Sequence, residues 1–499
     1  MHRTVDGFAN ADPTHAPSTP AVDSASGRNA LTLSDDHEVL VDHEPRGHDS
    51  GPPTRERRRV YLPVPLKYAI AMLFGIAWLV FSIEVSRPWM EDLGNATHPI
   101  FALISLTFIA YLPGFMNAFM IISLLLDRRP PRVRPQTYPA LSILVAAYQE
   151  ERTIIHTLAS IARERYPGPL EILILNDGSS DGTAEAAKRA KDNLHFPDNA
   201  TVRIINYEQN RGKAAVLNSG LHEARHDLVV TIDADTRLRA DSLTKIVERL
   251  LSDPPNTRAV AGAILVGNSR ETLMAGLQEW DYFHGIAAVK RMQSMYHGTL
   301  VAQGAFSIYY REALIEVGGW PECVGEDIVL TWALLRQGYR TGYAEDAVAF
   351  TSAPTSYRVF AHQRRRWARG LVEALNKHQP LLVKPRLSTM FIWWNVMFLP
   401  MDLIFTFVFI PGVILAFFGY FWIAGPMTLL TLPMAVLWNL VIYRIQQRMF
   451  RDQGLHVRRN YVALFVYIFG YAVLMQPVSL WGYVSELVGR KSKKKWGTK

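Results

Sequence analysis

The chain has 499 residues, of which 49% are hydrophobic, and it carries a formal net charge of +8. Its single cysteine, Cys323, excludes an internal disulfide and a cysteine-based zinc site. Much of the positive charge lies in short clusters beside apolar blocks, so it does not indicate a nucleic-acid partner.

The apolar residues are concentrated towards the two ends of the chain. The first 60 residues are polar and contain no apolar core, which predicts a disordered tail and no signal peptide. A membrane helix needs roughly 20 consecutive apolar residues. A single apolar block could be a buried core helix, but several together predict an integral membrane protein. The blocks cover residues 66–85, 100–126, 390–423, 427–442 and 461–484.

Basic clusters predict which side of the membrane each segment occupies. The cluster "RERRRV" (55–60) precedes the first block, "DRRPPRVR" (127–134) follows the second, and the segment between those blocks carries little positive charge. The positive-inside rule therefore predicts a multi-pass protein of the plasma (inner) membrane, with the tail and residues 127–385 in the cytoplasm. One crossing after residue 461 would leave the lysine-rich end outside, whereas its charge favours the inside. The topology of the C-terminal third is left open.

Between the membrane blocks, strand patterns alternate with helix patterns. "LSILVAAY" precedes "EERTIIHTLASIARERY", and "LEILILND" precedes "GTAEAAKRAKDN". "VRIINYEQ" then leads to "KAAVLNSGLHEA", and "DLVVTIDAD" to "SLTKIVERLL". Alternation of this kind predicts βαβ units and an α/β domain with a mostly parallel, Rossmann-like sheet.

Acidic residues close two of the predicted strands. Asp177 ends "ILILND", and Asp233 and Asp235 end "TIDAD". Ligands of such sheets bind beyond the carboxyl ends of the strands, so we expect the three acids to converge on one crevice. In extended chain Asp233 and Asp235 would point to one face, as in a site for a hard cation completed by substrate phosphates. The alternative is an ordinary turn, where Asp is common.

Two predicted helices begin with charged residues. Lys213 in "NRGKAAVLNSG" lies at a helix N-terminus, where a lysine and free N–H groups suit a phosphate. A solvated surface charge is the alternative. In "GED" (325–327), Glu326 and Asp327 either stabilise the helix N-terminus or supply the general base that transfer to a hydroxyl requires.

The stretch "HQRRRWARG" (362–370) precedes the return to the membrane. Helical spacing puts Gln363, Arg366 and Trp367 on one face, whereas Arg364 and Arg365 project elsewhere. Arginine forks bind phosphate oxygens, and an indole offers a flat face for a sugar ring. Basic residues and tryptophan also anchor helices at lipid headgroups. One face could serve a site while the other serves the lipid.

The ordered motifs resemble those of the processive family 2 glycosyltransferases, the membrane-embedded synthases of cellulose, chitin, hyaluronan and poly-N-acetylglucosamine. The resemblance covers roughly residues 139–375 and the flanking membrane segments, and it lies in "LVAAYQEE", "NDGSSDGT", "NRGKAAVLNSG", "DAD", "GED" and "QRRRW". It implies a cytoplasmic GT-A domain inserted between transmembrane helices. It also implies a nucleotide-sugar donor, usually a UDP-sugar, and Mg²⁺ or Mn²⁺.

The resemblance also implies a role for each motif residue. Asp327 would be the general base on the acceptor hydroxyl, giving inversion to a β-linked product. Asp235 would be the direct metal ligand, with Asp233 helping to hold the nucleotide and the metal. The residues implied to bind the nucleotide sugar are Tyr148, Glu150, Asp177 (at the uracil), Lys213 (at the diphosphate), Asp233, and Gln363 and Arg366 (at the leaving pyrophosphate). Those implied to bind the acceptor are Gly304, Glu326 and Trp367.

This sequence departs from the family pattern in two motifs, because Gln149 replaces a more usual Asn and "GED" replaces T-E-D. The cyclic-dinucleotide module of bacterial cellulose synthases is not predicted after "QRRRW". The compact plan is most similar to poly-β-1,6-N-acetylglucosamine synthases. That group implies UDP-N-acetylglucosamine as donor, a growing polysaccharide as acceptor, the lipid bilayer as surroundings and a small membrane partner subunit.

Three alternatives stay open: another polymer synthase of the family, a transferase adding one sugar to a polyprenyl phosphate, and a scaffold with a decayed transferase domain. The predicted organisation is a tail (1–60), two membrane helices (61–126), the GT-A domain (127–385), further membrane or interfacial helices (386–485) and a basic tail (486–499).

Overall fold

The computed structural model describes residues 61–129, 132–452 and 460–489. The predicted disordered tail, residues 453–459 of the basic loop and the lysine-rich end at 490–499 lie outside the described residues.

Four N-terminal helices precede the central domain in the chain. Their bounds are α1 Val64–Val85, α2 Arg87–Ala96, α3 Pro99–Leu106 and α4 Leu112–Leu125, with a π-helical turn at Thr107–Tyr111 joining α3 to α4. Helices α1 and α4 pack against each other, and Gly75 permits this because a Cβ there would lie 2.7 Å from the Phe115 ring.

An eight-stranded sheet forms the centre of the domain. Its strands are β1 Leu141–Ala147, β2 Leu170–Asp177, β3 Ala200–Tyr207, β4 Leu228–Asp233, β5 Arg237–Leu238, β6 Thr257–Val266, β7 Phe306–Tyr310 and β8 Arg340–Thr351. The order is β3-β2-β1-β4-β7-β6-β8-β5. The prediction that the first four strands form a parallel sheet is confirmed. Strand β1 pairs in parallel with β2 and with β4, and β2 pairs in parallel with β3. Strand β7 runs antiparallel to both β4 and β6, which the sequence did not indicate.

Helices cover both faces of the parallel half. The helices of the domain are α5 Ile154–Ala162, α6 Thr183–Asn193, α7 Lys213–Glu223, α8 Ser242–Ser252, α9 Leu273–Trp280, α10 Val289–Met295, α11 Arg311–Glu316, α12 Glu326–Gln337 and α13 Tyr357–Lys377, and a π-helical segment at Asp281–Ala288 joins α9 to α10. Ile143 and Val145 pack into one core and Leu144 and Ala146 into the other. Strand β1 is therefore apolar throughout, because both of its faces are buried.

The chain then returns to apolar helices. After a 3₁₀ turn at Gln379–Val383 come α14 Thr389–Ile404, a π-helical turn at Phe405–Phe409, α15 Ile410–Phe417, α16 Pro426–Asp452 and α17 Tyr461–Leu487. Four described segments have the length and composition to cross a membrane: Val64–Val85, Pro99–Leu125, Thr389–Phe417 and Tyr461–Leu487. The remaining apolar block, 427–442, lies within α16.

Candidate functional site

Asp177 ends β2 at the carboxyl edge of the sheet, as predicted, but its side chain is fully buried. Its carboxylate accepts the backbone N–H of Arg211 at 2.7 Å and that of Gly212 at 2.9 Å. Burial raises the pKa of Asp177, and these two hydrogen bonds oppose the rise. In the structure, Asp177 holds the loop that leads into Lys213; the predicted contact with uracil remains a prediction.

Lys213 lies between two acidic residues, Asp233 and Glu326. Its ammonium lies 2.5 Å from Asp233 Oδ1 and 3.7 Å from Glu326 Oε1, and its side chain is only 15% exposed. The alternative of a solvated surface lysine is therefore wrong. Burial alone would lower the pKa of Lys213, but the two carboxylates hold it above its ordinary value. Gly304 leaves room for this contact, because a Cβ there would lie 2.8 Å from the Lys213 ammonium.

Asp235 is not part of an extended strand. Strand β4 ends at Asp233, and Asp235 lies in a turn where Thr236 N–H donates to Asp233 O at 2.9 Å. The premise that both acids alternate along a strand is wrong, and the turn interpretation describes the local backbone. The hydroxyls of Thr236 and Thr351 lie 3.4 Å from Asp235 Oδ1. These long contacts keep the carboxylate at the edge of the sheet.

Glu326 and Asp327 begin α12 and face different surroundings. Burial raises the pKa of Glu326 to about 7, while Lys213 counteracts part of that rise. One oxygen of Asp327 accepts the N–H of Ile328 at 2.7 Å, and Asp327 forms no ion pair with the described residues. Asp327 therefore contributes to its helix N-terminus and still has a second oxygen for a substrate hydroxyl.

A glycine contact brings α12 and α13 together at the site. A Cβ on Gly325 would lie 2.4 Å from the Cα of Gly370, so neither residue tolerates a side chain without displacement. Glu373 of α13 also accepts the N–H of Gly325 at 2.9 Å. This close packing of α12 on α13 places Asp327 beside the helix that carries Arg366. Gly370 was missed in the sequence, although a glycine inside a helical pattern signals close packing.

The face of α13 towards the site carries the predicted residues. The Gln363 side-chain oxygen is buried and has no hydrogen-bond partner among the described residues. Arg366 is exposed and forms no ion pair within the described part of the chain. It is nevertheless near enough to Glu326 for its positive charge to lower the pKa of that carboxyl group. Trp367 is 39% exposed, and its ring centroid lies 6.4 Å from that of Tyr282. The exposed Arg366 guanidinium thus remains available to a ligand, whereas the Gln363 oxygen is enclosed by the protein.

We call this region the crevice; it is defined by Lys213, Asp233, Asp235, Gly304, Glu326, Asp327, Gln363, Arg366 and Trp367. Tyr282 connects its two sides, because it packs near Trp367 and lies close enough to Asp235 for that charge to affect its pKa. Sequence reasoning did not identify Tyr282.

The loop after β1 lies beside the Asp177 loop. The N–H of Gln149 donates to Ser179 Oγ at 3.1 Å, and that of Glu150 donates to Thr183 Oγ1 at 2.9 Å. Gln149 has a φ of 58°, a left-handed conformation that Asn adopts more readily than most residues. This left-handed conformation gives a physical reason why Asn is more usual than Gln at this position of the family pattern. Tyr148 and Glu150 adjoin this turn at the entrance to the sheet edge.

The donor set fits a cation that completes its shell from substrate. Among the described residues, no group of three or more His, Cys, Asp or Glu side chains could hold a metal. Mg²⁺ is usually bound by one or two carboxylates together with substrate phosphates. Asp233 and Asp235 match that pattern, whereas they do not form a cage made of protein ligands alone.

Comparison with known proteins gives the following relatives. A family model described as "Glycosyltransferase like family 2" matches residues 139–370. Poly-beta-1,6-N-acetyl-D-glucosamine synthase of Staphylococcus aureus (strain COL) is 30% identical over 280 residues, which cover 54% of this chain and 66% of that protein. The protein of the same name from Staphylococcus epidermidis is 31% identical over 279 residues, with the same coverage. The chain thus spans slightly less than two thirds of these relatives.

A solved structure extends the comparison to the fold. The mannosyltransferase PcManGT from Pyrobaculum calidifontis, in complex with GDP-Man and Mn²⁺, is 20% identical and has a TM-score of 0.55, covering 78% of this chain and 99% of that chain. At this identity the likeness concerns the fold alone. The resemblance found in the motifs and the expected fold, an α/β GT-A domain between apolar helices, are confirmed.

Proposed function

We propose that this protein is a processive inverting synthase of a β-linked exopolysaccharide, because residues 139–370 match the family model described as "Glycosyltransferase like family 2" and the chain is similar to two staphylococcal synthases. The proposed donor is a UDP-sugar, with UDP-N-acetylglucosamine first among the candidates because the matched staphylococcal proteins are named for that sugar. The product would pass across the membrane through the apolar helices that flank the domain.

One observation carries this proposal: the crevice combines groups for a diphosphate with groups for an acceptor. Lys213 and Asp233 form one side, 2.5 Å apart. Arg366 lies on the other side without an ion pair among the described residues, next to a partly exposed indole at Trp367. A single-addition transferase would not require the Q-x-x-R-W motif that carries Trp367.

In the proposed reaction each of these groups has a separate role. Asp327 accepts the proton of the acceptor hydroxyl as that oxygen forms a bond to the anomeric carbon of the donor. The bond from that carbon to the diphosphate breaks on the opposite face, so the configuration inverts. Arg366 and Gln363 bind the departing diphosphate, because a guanidinium stabilises phosphate oxygens through paired hydrogen bonds. Trp367 holds the acceptor ring against the base.

A divalent cation belongs with this donor. Asp235 would be its direct ligand and Asp233 its second, and Mg²⁺ or Mn²⁺ would neutralise charge on the leaving diphosphate when bound. Lys213 already neutralises part of the charge of Asp233. We therefore assign the direct contact with the cation to Asp235, which lies in the turn after β4, 3.4 Å from the hydroxyls of Thr236 and Thr351.

The proposed membrane arrangement keeps the catalytic domain and the C-terminal helix on the cytoplasmic side. Helix α17 has 27 residues, so it is about 40 Å long. Asn460 at its start donates to Glu279 at 3.0 Å, and Glu486 near its end pairs with Arg369 of α13 at 2.9 Å. If α17 crossed the membrane, its two ends would lie on opposite sides of the bilayer. Because both ends contact the catalytic domain, these contacts favour a helix that lies along the membrane surface. The lysine-rich end would then be cytoplasmic, as its charge favours.

A reporter fused after residue 499 tests this arrangement. We expect a C-terminal fluorescent protein to fold and fluoresce and a C-terminal alkaline phosphatase to be inactive. Active phosphatase would mean that α17 crosses.

The activity test uses membranes that contain this chain, labelled UDP-sugars, and Mg²⁺ or Mn²⁺. Asp327→Asn is the control, and linkage-specific hydrolases identify the product. We expect high-molecular-weight product from UDP-N-acetylglucosamine in the unmodified protein alone. Label found only in a lipid extract would instead support single addition to a lipid. Absence of product with every donor, also after addition of a candidate small membrane subunit, would contradict the proposal.

A further inference from the structure

Arg364 lies inside the protein, although its spacing in α13 predicted that it would project away from the site. Its side chain is 5% exposed, and its guanidinium lies 2.8 Å from Asp281 Oδ2. Asp281 opens the π-helical segment that follows α9. The same carboxylate oxygen accepts the Tyr471 hydroxyl of α17 at 3.0 Å. Arg364 is therefore joined to the domain and to α17 rather than to lipid headgroups.

The guanidinium of Arg364 packs on the indole of Trp367. Its central carbon lies 4.1 Å from the indole centroid and 5.1 Å from the ring of Phe360. Residues 360, 364 and 367 lie on one side of a helix by their spacing. A cation over an aromatic face is attractive, and more so when it is desolvated. One face of the indole is thus covered, while 39% of Trp367 remains exposed.

The Asp281 carboxylate is itself closely fitted. A Cβ on Gly285 would lie 2.8 Å from Asp281 Oδ1, so only glycine leaves space for the carboxylate in this position. The Arg364 guanidinium, through an ion pair, and the Tyr471 hydroxyl, through a hydrogen bond, both lie at its other oxygen. An arginine held by such a carboxylate has little freedom to swing away from the indole.

We propose that Asp281 and Arg364 are positioning residues for Trp367, and that the ion pair sets the plane of the indole against which the acceptor sugar binds. The proposal rests on the proposed function, in which Trp367 contacts the acceptor. Among the described contacts, neither residue pairs with Lys213, Asp233 or Asp235. Loss of the pair should therefore weaken retention of the growing chain and leave donor binding unchanged.

The test compares Arg364→Met with Arg365→Met. Arg365 is the adjacent arginine, is partly buried, and forms no ion pair with the described residues, so it is the matched control. For Arg364→Met we expect shorter polymer and a ratio of elongation to UDP-sugar hydrolysis lower by on the order of tenfold, with an unchanged KM for the donor. Arg365→Met should match the unmodified protein. Arg364→Lys, which keeps the cation, should fall between them.

Arg364→Met leaves Asp281 as a buried carboxylate without its cation, which can prevent folding. The double variant Asp281→Asn/Arg364→Met removes both charges and gives a second route to the same measurement. Polymer of normal length and a normal elongation-to-hydrolysis ratio in a folded variant of either kind would overturn the proposal.

A second comparison separates positioning from general structural damage. In a Trp367→Ala background the indole is already absent, so adding Arg364→Met should lower elongation no further. A further tenfold loss would mean that Arg364 acts by another route. If Trp367→Ala itself lowers elongation no more than donor hydrolysis, the acceptor role of Trp367 in the proposed function is wrong. If Trp367→Ala impairs elongation and Arg364→Met does not, only the positioning role is wrong.

Discussion

Two clusters of buried charge in this protein differ in how completely the protein satisfies them. The first, which we call the neck cluster, consists of Asp127, Arg129, Arg132, Arg249, Arg291, Glu345 and Asp346. It joins the end of α4 to α8, α10 and β8. The second is the crevice.

Every acid of the neck cluster meets an arginine. Asp127 lies 2.5 Å from Arg291 and 3.3 Å from Arg129, and Glu345 lies 2.9 Å from Arg129 and 3.2 Å from Arg249. Asp346 pairs with Arg132. In the crevice, by contrast, Arg366 and Asp327 form no ion pair with any described residue.

Two glutamates with similar burial show the consequence. Burial alone would raise the pKa of Glu345, but the surrounding arginines outweigh it and hold the pKa well below the ordinary value. Burial raises the pKa of Glu326 to about 7, because Lys213 offsets only part of the effect. In the neck cluster every carboxylate is paired with an arginine of the protein, whereas the crevice retains charge that a ligand can neutralise. Paired carboxylates favour stability, and charge left for a ligand favours binding and catalysis.

The largest expected effect is on transfer, from Asp327→Asn in the crevice. We expect transfer to fall on the order of 10³-fold, because the proton of the acceptor hydroxyl loses its acceptor. Binding of the nucleotide and the melting temperature should remain close to those of the unmodified protein. Incorporation of labelled sugar and thermal unfolding measure the two properties. Sustained turnover by this variant would remove Asp327 from the role of base.

The next effect is on stability, from Glu345→Gln in the neck cluster. Removing one partner from a buried ion network leaves arginines uncompensated, which costs about 3–5 kcal/mol. Thermal unfolding in detergent should show a marked fall in melting temperature. Glu312→Gln is the matched control, since Glu312 pairs with Arg258 at 3.0 Å but is 70% exposed. An exposed pair contributes about 1 kcal/mol or less, so equal losses in the two variants would contradict the comparison.

A smaller effect concerns pH and Lys290, which lies near Asp327. Burial lowers the pKa of Lys290 to about 7, although Asp327 counteracts part of the shift. Between that value and the ordinary one of 10.5, the unfolded chain binds a proton that the folded chain does not. Stability should therefore rise with pH, at a limiting slope of about 1.4 kcal/mol per pH unit above pH 7. Below pH 7 both states carry the proton and the full cost is present.

Lys290→Met tests this expectation. Its melting temperature should change less between pH 7 and pH 9 than that of the unmodified protein. Parallel pH profiles for the two proteins would mean that Lys290 stays protonated in the fold.

The sequence predicted those features that depend on local pattern. Alternating strands and helices give β1 to β4, and the strand ends carry Asp177 and Asp233 to one edge of the sheet. The antiparallel insertion of β7 depends on pairing between distant segments, and periodicity contains no information about such pairing. The same limit hid the capping of Asp177 by the loop at Arg211 and Gly212.

In the candidate site, too, the sequence predicted what depends on local pattern and missed what depends on contacts between distant segments. Motif spacing placed Lys213 and Asp327 at helix starts and Trp367 on a helical face, as the structure has them, and the roles of Asp327 and Trp367 remain predictions. The burial of Arg364 was missed, since its partner Asp281 belongs to a different segment and helical spacing alone gives only a direction. Asp235 lies in a turn because β4 ends two residues earlier, which alternation along an extended chain does not foresee.

The most direct test of the central claim is the shift in melting temperature on addition of UDP and Mn²⁺. A ligand that binds only the folded state stabilises it, by about 2.7 kcal/mol at 100 times its Kd. We expect an upward shift in the unmodified protein and none in Asp235→Asn. Asp346→Asn, in the neck cluster, should start from a lower melting temperature and show the same upward shift. A shift that survives in Asp235→Asn and disappears in Asp346→Asn would contradict the assignment of the crevice as the nucleotide-sugar site.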